Sequence, residues 1–372
     1  GLLGAPRRAT VPSQPLRRLA PVPYLPSFVL PSTSLVAREL PRSVRRCLDA
    51  GEHARDTTRQ LSITEVASVG KRSRQQYISL LNQFLASSRL GTLAVTAPLM
   101  DAALVRFCDE LYLAGKVASS GEKLLAAISM HVPDYQNKGR LALPRAHRAL
   151  RGWRLLRPSR TRRPLPWVAC MGVARQLWQL TGKPQLAVFW LMMVDTYLRP
   201  GEAHRLSKGQ VFPPQAKMPT VTIRISPDYM KRPSNTGEMD ETVDVARPWL
   251  AALTVQLGVG DPTDPLWDFT MTDAKRAFDN AVASLDLGKL QLVLYTARHS
   301  GASIDRFTGR ISLQEVQRRG RWRQPNSVRR YEKRGLIQTV WSGMSERARK
   351  YCLQAEADLP TLLAAAFRKG YA

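Results

Sequence analysis

The stretch RRGRWRQPNSVRRYEKRG (318–335) places Tyr331 nine residues after Trp322 and beside Arg329 and Arg330. Its reading depends on two stretches upstream. TYLRPGEAHRLS (196–207) contains Arg199, and LYTARHSGAS (294–303) contains Arg298. A tyrosine downstream of two separated arginines suits attack on a phosphodiester. The phenolic oxygen is the nucleophile, and guanidinium groups stay protonated and match two phosphate oxygens with a planar fork. A phenol with an ordinary pKa near 10 needs activation, and the surrounding arginine charge is the available source. Taken singly these motifs are unspecific, because an Arg-x-x-Glu at a helix start is usually a surface ion pair and a tryptophan is usually core. The ordered set carries the inference.

The composition agrees with a polyanionic partner. The 372 residues hold 56 Lys plus Arg against 29 Asp plus Glu, a formal net charge of +27. Charge on that scale points to nucleic acid first and an acidic membrane surface second. Structural RNA-binding proteins share the balance, so charge alone names no activity. The four cysteines, Cys47, Cys108, Cys170 and Cys352, are scattered without a CxxC pair. That fits a reducing compartment and argues against a zinc site or a disulfide framework. The longest apolar run, LAVFWLMMV (186–194), is about half the length of a bilayer span and reads as a buried helix. The first residues, GLLGAPRRATVPSQP, lack both an initiator Met and the apolar centre of a signal peptide, as a fragment or a processed product would. Arg7, Arg8, Arg17 and Arg18 fit a basic tail, or a targeting or DNA-tracking arm.

The chain divides by pattern. Residues 1–60 are basic and rich in proline and are expected to be disordered. Residues 61–150 are expected to form a small helical domain. Ser62 with Glu65 has capping-box spacing, and Tyr77, Leu80, Leu81, Phe84 and Leu85 share one stripe of a helix over 71–89. Further helices are expected at 98–114, 119–131 and 144–156. Residues 151–166 read as a basic linker that also touches a nucleic-acid backbone, through Arg151, Arg154, Arg157, Arg160, Arg162 and Arg163, before Pro164 and Pro166, with a merely solvated basic helix end as the alternative. From 167 to 372 the pattern is mixed. Helices are expected at 167–181, 184–197, 247–257, 272–285, 296–306, 312–319, 327–334 and 345–357, with strands at 219–226 and 241–246. Asn326 is the expected N-cap of the helix bearing Tyr331. The fold class is mainly α with a small β-sheet (α+β).

Arg199, Arg298, Trp322 and Tyr331, in that order, resemble the catalytic half of the tyrosine recombinases of the phage-integrase family. The resemblance covers about 165–340, and residues 60–150 are more weakly similar to that family's core-binding (SAM-like) domain. It implies that Arg199 and Arg298 clamp the scissile phosphate and that Glu202 orients Arg199. Trp322 would donate its indole N–H to a phosphate oxygen, and Tyr331 would retain the DNA 3′ end as a phosphotyrosyl ester. The family carries a lysine on a β-hairpin turn, and Lys231 is the candidate to protonate the leaving 5′ oxygen. Lys208 and Lys217 fit less well, and a solvated turn lysine is the alternative. Where the family usually has His-x-x-Arg-His, this chain reads Tyr295-Thr296-Ala297-Arg298-His299. A phenol can donate to a phosphate oxygen but carries protons poorly at neutral pH, so acid–base help from Tyr295 is in question. His299 is expected to pack or hydrogen-bond near Arg298.

The resemblance implies double-stranded DNA as partner, a homotetramer on DNA, no membrane, and cleavage and rejoining that needs neither cofactor nor metal. Clustered carboxylates of the two-metal kind are not seen in the sequence. The wording of GRW and VRRYEK is closer to eukaryotic mobile-element recombinases than to bacterial chromosome-dimer resolvases, which implies a nuclear location if the host is eukaryotic. The C-terminal segment 336–372 reads as an amphipathic helix pair that packs either on a neighbouring subunit or within the chain. Three rivals stay open: a topoisomerase-like nicking–closing monomer, a domesticated DNA-binding protein without catalysis, and a basic RNA-binding structural protein.

Overall fold

The computed structural model describes residues 63–88, 96–136, 139–158, 162–230, 234, 236–332 and 334–370. The N-terminal basic region, Ser62, Cys47, Arg160 and Lys231 lie outside the described residues, so the expectations placed on them stand there as stated. The chain separates into two units with the division at residues 160/161.

In the first unit the described helices are α1 (Ile63–Ala67), α2 (Lys71–Ser88), α3 (Ala97–Leu113), α4 (Ala118–His131) and α5 (Pro144–Leu156). The stripe expected on α2 faces the core except at Tyr77, which is half-buried outside the cluster. Leu81 and Phe84 are buried, and Leu80 and Leu85 pack beside them against Leu104, Phe107, Leu124, Ile128 and Trp153. Phe84 meets Phe107 edge-on at 5.5 Å, a contact worth about 1 kcal/mol beyond the area it buries. Asp101 is a buried carboxylate on α3, and it accepts from the N–H groups of Arg145 (3.0 Å) and Ala146 (2.8 Å). It thereby caps the start of α5, where the helix dipole favours an anion. The expected linker begins later than its arginines suggest, because Leu150 and Trp153 anchor α5 in the core and hold residues 151–156 helical.

The second unit is built around α7 (Pro184–Thr196), whose apolar residues are all buried. The run 186–194 is therefore a core helix, and no helix among the described residues is long and apolar enough to cross a membrane. Around α7 lie α6 (Trp167–Thr181), α8 (Pro200–His204), α9 (Pro248–Leu257), α10 (Met271–Ser284), α11 (Thr296–Thr308), α12 (Leu313–Arg319), α13 (Arg334–Ser342) and α14 (Glu346–Arg368). A three-stranded antiparallel sheet, in the order β1 (Val211–Phe212), β2 (Val221–Ile225), β3 (Glu241–Val245), covers one side. The alternation in VTIRI sends Val221, Ile223 and Ile225 into the core, where Val221 pairs with Val245, Ile223 with Val243 and Ile225 with Glu241 across the ladder. β1 is too short to show period 2 and was not anticipated.

Two expectations need correction. The tyrosine segment is not an α-helix capped by Asn326. It forms two 3₁₀ turns, Pro325–Ser327 and Arg329–Glu332, with Asn326 inside the first. Pro325 opens that turn, and bonds of i→i+3 type then run from Val328 N to Pro325 O (2.9 Å) and from Tyr331 N to Val328 O (2.9 Å). The last helix does not end at 357 but runs to Arg368 through Pro360, because Ala348, Cys352, Ala355, Leu359, Leu363 and Phe367 keep one buried stripe. That stripe packs within the chain, against the core that contains α6 and α7. Cys108, Cys170 and Cys352 are buried free thiols.

Candidate active site

Three separated segments converge on Tyr331. Arg199 follows α7 after Tyr197, whose left-handed backbone (φ 55) turns the chain sharply out of the helix. Pro200 then starts α8 with Arg199 as its N-cap residue. Glu202 accepts from Arg199 N (3.1 Å) and from Arg199 Nη1 (2.6 Å), so one carboxylate fixes both the backbone and the fork of the arginine. Burial opposes the charge of Arg199, but Glu202 and a hydrogen bond with Tyr295 outweigh it and raise the guanidinium above its ordinary value. Tyr295, just before α11, therefore shares the site with Arg199.

Arg298 is fully buried on α11. Its Nη1 donates to the carbonyl of Tyr197 and its Nη2 to the carbonyl of Gly320, while the guanidinium lies 4.4 Å from the Trp322 ring centroid. Burial, and next the nearby Arg199, lower it to about 10, so it stays protonated at neutral pH. Arg298 thus ties the end of α7 to the turn after α12. Both ends of its fork are committed to carbonyls, and its buried Nε–H has no hydrogen-bond partner among the described residues. Two glycines permit this proximity. A Cβ on Gly301 would meet the Val194 carbonyl oxygen at 1.9 Å, and one on Gly320 would meet the Trp322 ring at 1.7 Å.

Tyr331 is 3% exposed. Its ring packs 4.9 Å from Trp322 and 5.4 Å from His299, and His299 in turn lies 5.4 Å from Tyr295. The structure therefore brings together Arg199, Tyr295, Arg298, His299, Trp322 and Tyr331. His299 is not confined to the neighbourhood of Arg298, since it bridges the two tyrosine rings. Lys231 is placed by sequence on the β2–β3 hairpin and lies outside the described residues.

One residue of this centre was not anticipated. Arg321, between Gly320 and Trp322, donates to Glu202 Oε2 (2.6 Å) and to Glu241 Oε2 (2.9 Å), and Glu241 Oε1 accepts from Thr236 Oγ1 (2.8 Å). Burial alone would raise the Glu202 carboxyl, yet Arg321 and Arg199 hold it down to about 2. The backbone of Arg321 is left-handed (φ 54), a conformation that costs roughly 1–3 kcal/mol in a non-glycine residue unless its surroundings enforce it. The available signal was an arginine where the turn geometry prefers glycine, and it is legible only once φ is known.

The six arginines expected along the linker do not behave as one group. Arg151 is exposed on α5, Arg154 pairs with Glu122 (2.8 Å), and Arg157 donates to the Lys116 carbonyl (3.2 Å). Arg160 is outside the described residues and Arg163 is exposed. Arg162 lies 4.7 Å from the Tyr295 ring centroid, with Nη1 3.3 Å from His299 Nε2.

No family model matches the chain, and no curated protein matches it. Among solved structures it is similar to the XerH site-specific recombinase bound to a palindromic difH substrate in a post-cleavage complex. The TM-score is 0.55 at 14% identity, covering 82% of this chain and 90% of that one. XerH bound to difH in a pre-cleavage complex is matched with a TM-score of 0.50 at 15% identity, over 83% and 90% of the two chains. A lambda integrase(75-356) dimer on a COC' core site reaches a TM-score of only 0.44 and adds nothing to the argument. At these identities the likeness shows a common fold. The chain has the tyrosine-recombinase fold, a helical unit followed by a mixed unit with a small sheet.

Proposed function

We propose that this protein is a site-specific DNA recombinase or integrase that cleaves and rejoins duplex DNA through a 3′-phosphotyrosyl intermediate. The observation that carries the proposal is that three distant segments gather Arg199, Tyr295, Arg298, His299 and Trp322 into one connected group with Tyr331, whose ring packs on Trp322 and His299, on a fold shared with DNA-bound recombinases. In the proposed step the Tyr331 oxygen forms a bond to phosphorus, the bond to the 5′ oxygen breaks, the phenol loses its proton and the 5′ oxygen takes one up. Arg199, one Nη of which is held by Glu202, presents the remainder of its fork to the phosphate, where developing charge is worth most. Trp322 Nε1–H can only donate, which suits an anionic oxygen. Lys231 remains the candidate proton donor for the leaving oxygen. The ester conserves the phosphodiester energy, so rejoining is the reverse displacement by a 5′-hydroxyl. Duplex DNA is the partner, and exchange between two sites requires four protomers.

Tyr331 is buried, so attack requires the turn Arg329–Glu332 to swing outward. That burial, with the occupied fork of Arg298, favours as second reading a DNA-binding protein that no longer cleaves. One experiment decides. A radiolabelled nicked duplex that traps the cleaved strand is incubated with the protein in EDTA and resolved on a denaturing gel. The wild type should form a covalent adduct and Tyr331→Phe should form none. An adduct that persists in the Phe variant would show another nucleophile, and absence of adduct from the wild type on every duplex would refute the recombinase reading.

A further inference from the structure

Arg162 precedes the mixed unit in the stretch Arg162-Arg163-Pro164-Leu165-Pro166, where two prolines force the residues before them into extended conformations. The stretch is pinned at its far end. Leu165 is fully buried, and its N–H donates to Ser300 Oγ (2.9 Å) on the first turns of α11. A stiff segment anchored at Ser300 delivers Arg162 to the opening of the same helix, where Tyr295 and His299 stand. There the guanidinium covers the Tyr295 ring at 4.7 Å. Tyr295 also helps to hold the Arg199 guanidinium above its ordinary value, so one phenol has a guanidinium on its ring face and interacts with a second. A guanidinium nitrogen can only donate, so the 3.3 Å contact from Arg162 Nη1 makes His299 Nε2 an acceptor. Arg162 therefore brings positive charge to the corner where Tyr295 and His299 stand.

We infer that Arg162 is a further guanidinium of the reaction centre, which neutralises the scissile phosphate alongside Arg199, rather than a linker arginine that follows the DNA backbone. The inference rests on the recombinase reading above. Its chemical sense lies in the sequence change at Tyr295. A phenol supplies less positive charge than a histidine at that position, and Arg162 stands against that ring to restore it. Arg162 is exposed apart from these contacts, whereas Arg298 is buried with both ends of its fork bound to carbonyls. Of the two, Arg162 is the one able to turn towards a ligand without breaking the fold.

The test uses the full chain and two nicked duplexes, one with an ordinary scissile phosphodiester and one with a methylphosphonate there. The methylphosphonate replaces a charged oxygen with a methyl group and so needs less cationic help. Adduct formation is followed in single turnover at saturating DNA. Arg162→Ala should slow the reaction about ten- to a hundredfold on the phosphodiester, the lower part of the range for loss of one donor to developing charge. Arg162→Lys should recover part of the rate. The deficit of Arg162→Ala should largely vanish on the methylphosphonate. Equal deficits on both duplexes would reduce Arg162 to holding Tyr295 and His299 in place. A change in DNA affinity with the saturated rate intact would return it to backbone contact. Either result overturns the inference while the recombinase reading survives. No adduct from the wild type on the phosphodiester would remove both.

Discussion

Replacing Arg321 with methionine keeps most of the apolar stem and removes the guanidinium that joins Glu202 to Glu241. All three side chains are nearly inaccessible, with Arg321 8% exposed, Glu202 0% and Glu241 10%. Removing one member of a buried ionic network leaves its partners uncompensated, at a cost of about 3–5 kcal/mol. A second route gives a similar size. Glu202 is held at about 2 against an ordinary 4.5, which corresponds to about 3 kcal/mol favouring the ionised form. Arg199 supplies part of that and remains in the variant, while Glu241 loses its own contact, so a net loss of about 3 kcal/mol is expected. For a unit of this size that is a fall in Tm of roughly 6–12 °C. The pH dependence has a definite sign. The folded value of Glu202 lies below its unfolded value, so its contribution is complete above about 4.5 and is lost as pH falls from there through about 2. The gap between wild type and variant should therefore narrow below pH 4.5. Thermal unfolding of the full chain between pH 7 and 3.5 measures both effects. The triple variant Arg321→Met, Glu202→Gln, Glu241→Gln removes every charge of the trio and should be more stable than the single variant. A single-variant loss below about 1 kcal/mol, the level of an exposed ion pair, or a gap that stays constant with pH, would refute the reasoning.

Three further outcomes are expected. Arg199→Lys keeps the charge but loses the planar fork, so cleavage of the nicked duplex should fall by about 10²–10³ while DNA affinity in a filter or gel-shift assay hardly changes. Tyr295→His should retain cleavage in the same assay, because an imidazole can donate to the phosphate and still face Arg162; a severe loss would mean that the interaction of Tyr295 with Arg199 is indispensable. Gly301→Ala should destabilise the chain by more than about 3 kcal/mol in denaturant titration, since the new methyl carbon would lie 1.9 Å from the Val194 carbonyl oxygen and neither helix can yield without uncoupling Arg298 from Tyr197.

The helices were legible where a strong periodic pattern met clear boundaries. Pro144 and Pro184 each open an expected helix, and the alternation in VTIRI defined β2; the short helix at Pro200–His204 was not expected. The tyrosine turn misled because Asn326 is a good cap in isolation, whereas Pro325 and the packing of Val328 and Tyr331 favour a tighter turn. The length of α14 was hidden by Pro360, which local propensity treats as a stop and a continuous buried stripe overrides.

By itself the sequence supplied the grounds for the proposed chemistry: two arginines, a tryptophan and a tyrosine in order, on a chain with an excess of 27 positive charges. Those are statements about residue type and spacing, and they survive without coordinates. Tertiary structure alone decided which charges act together. Arg162 and Tyr295 are separated by more than a hundred residues, as are Arg321 and Glu202, and each pair meets only because α11 and the turn after α12 pack on the end of α7. Sequence patterns report periodicity along one element. The partner of a charge is set by which elements share the core, and that depends on burial of apolar faces distributed over the whole unit.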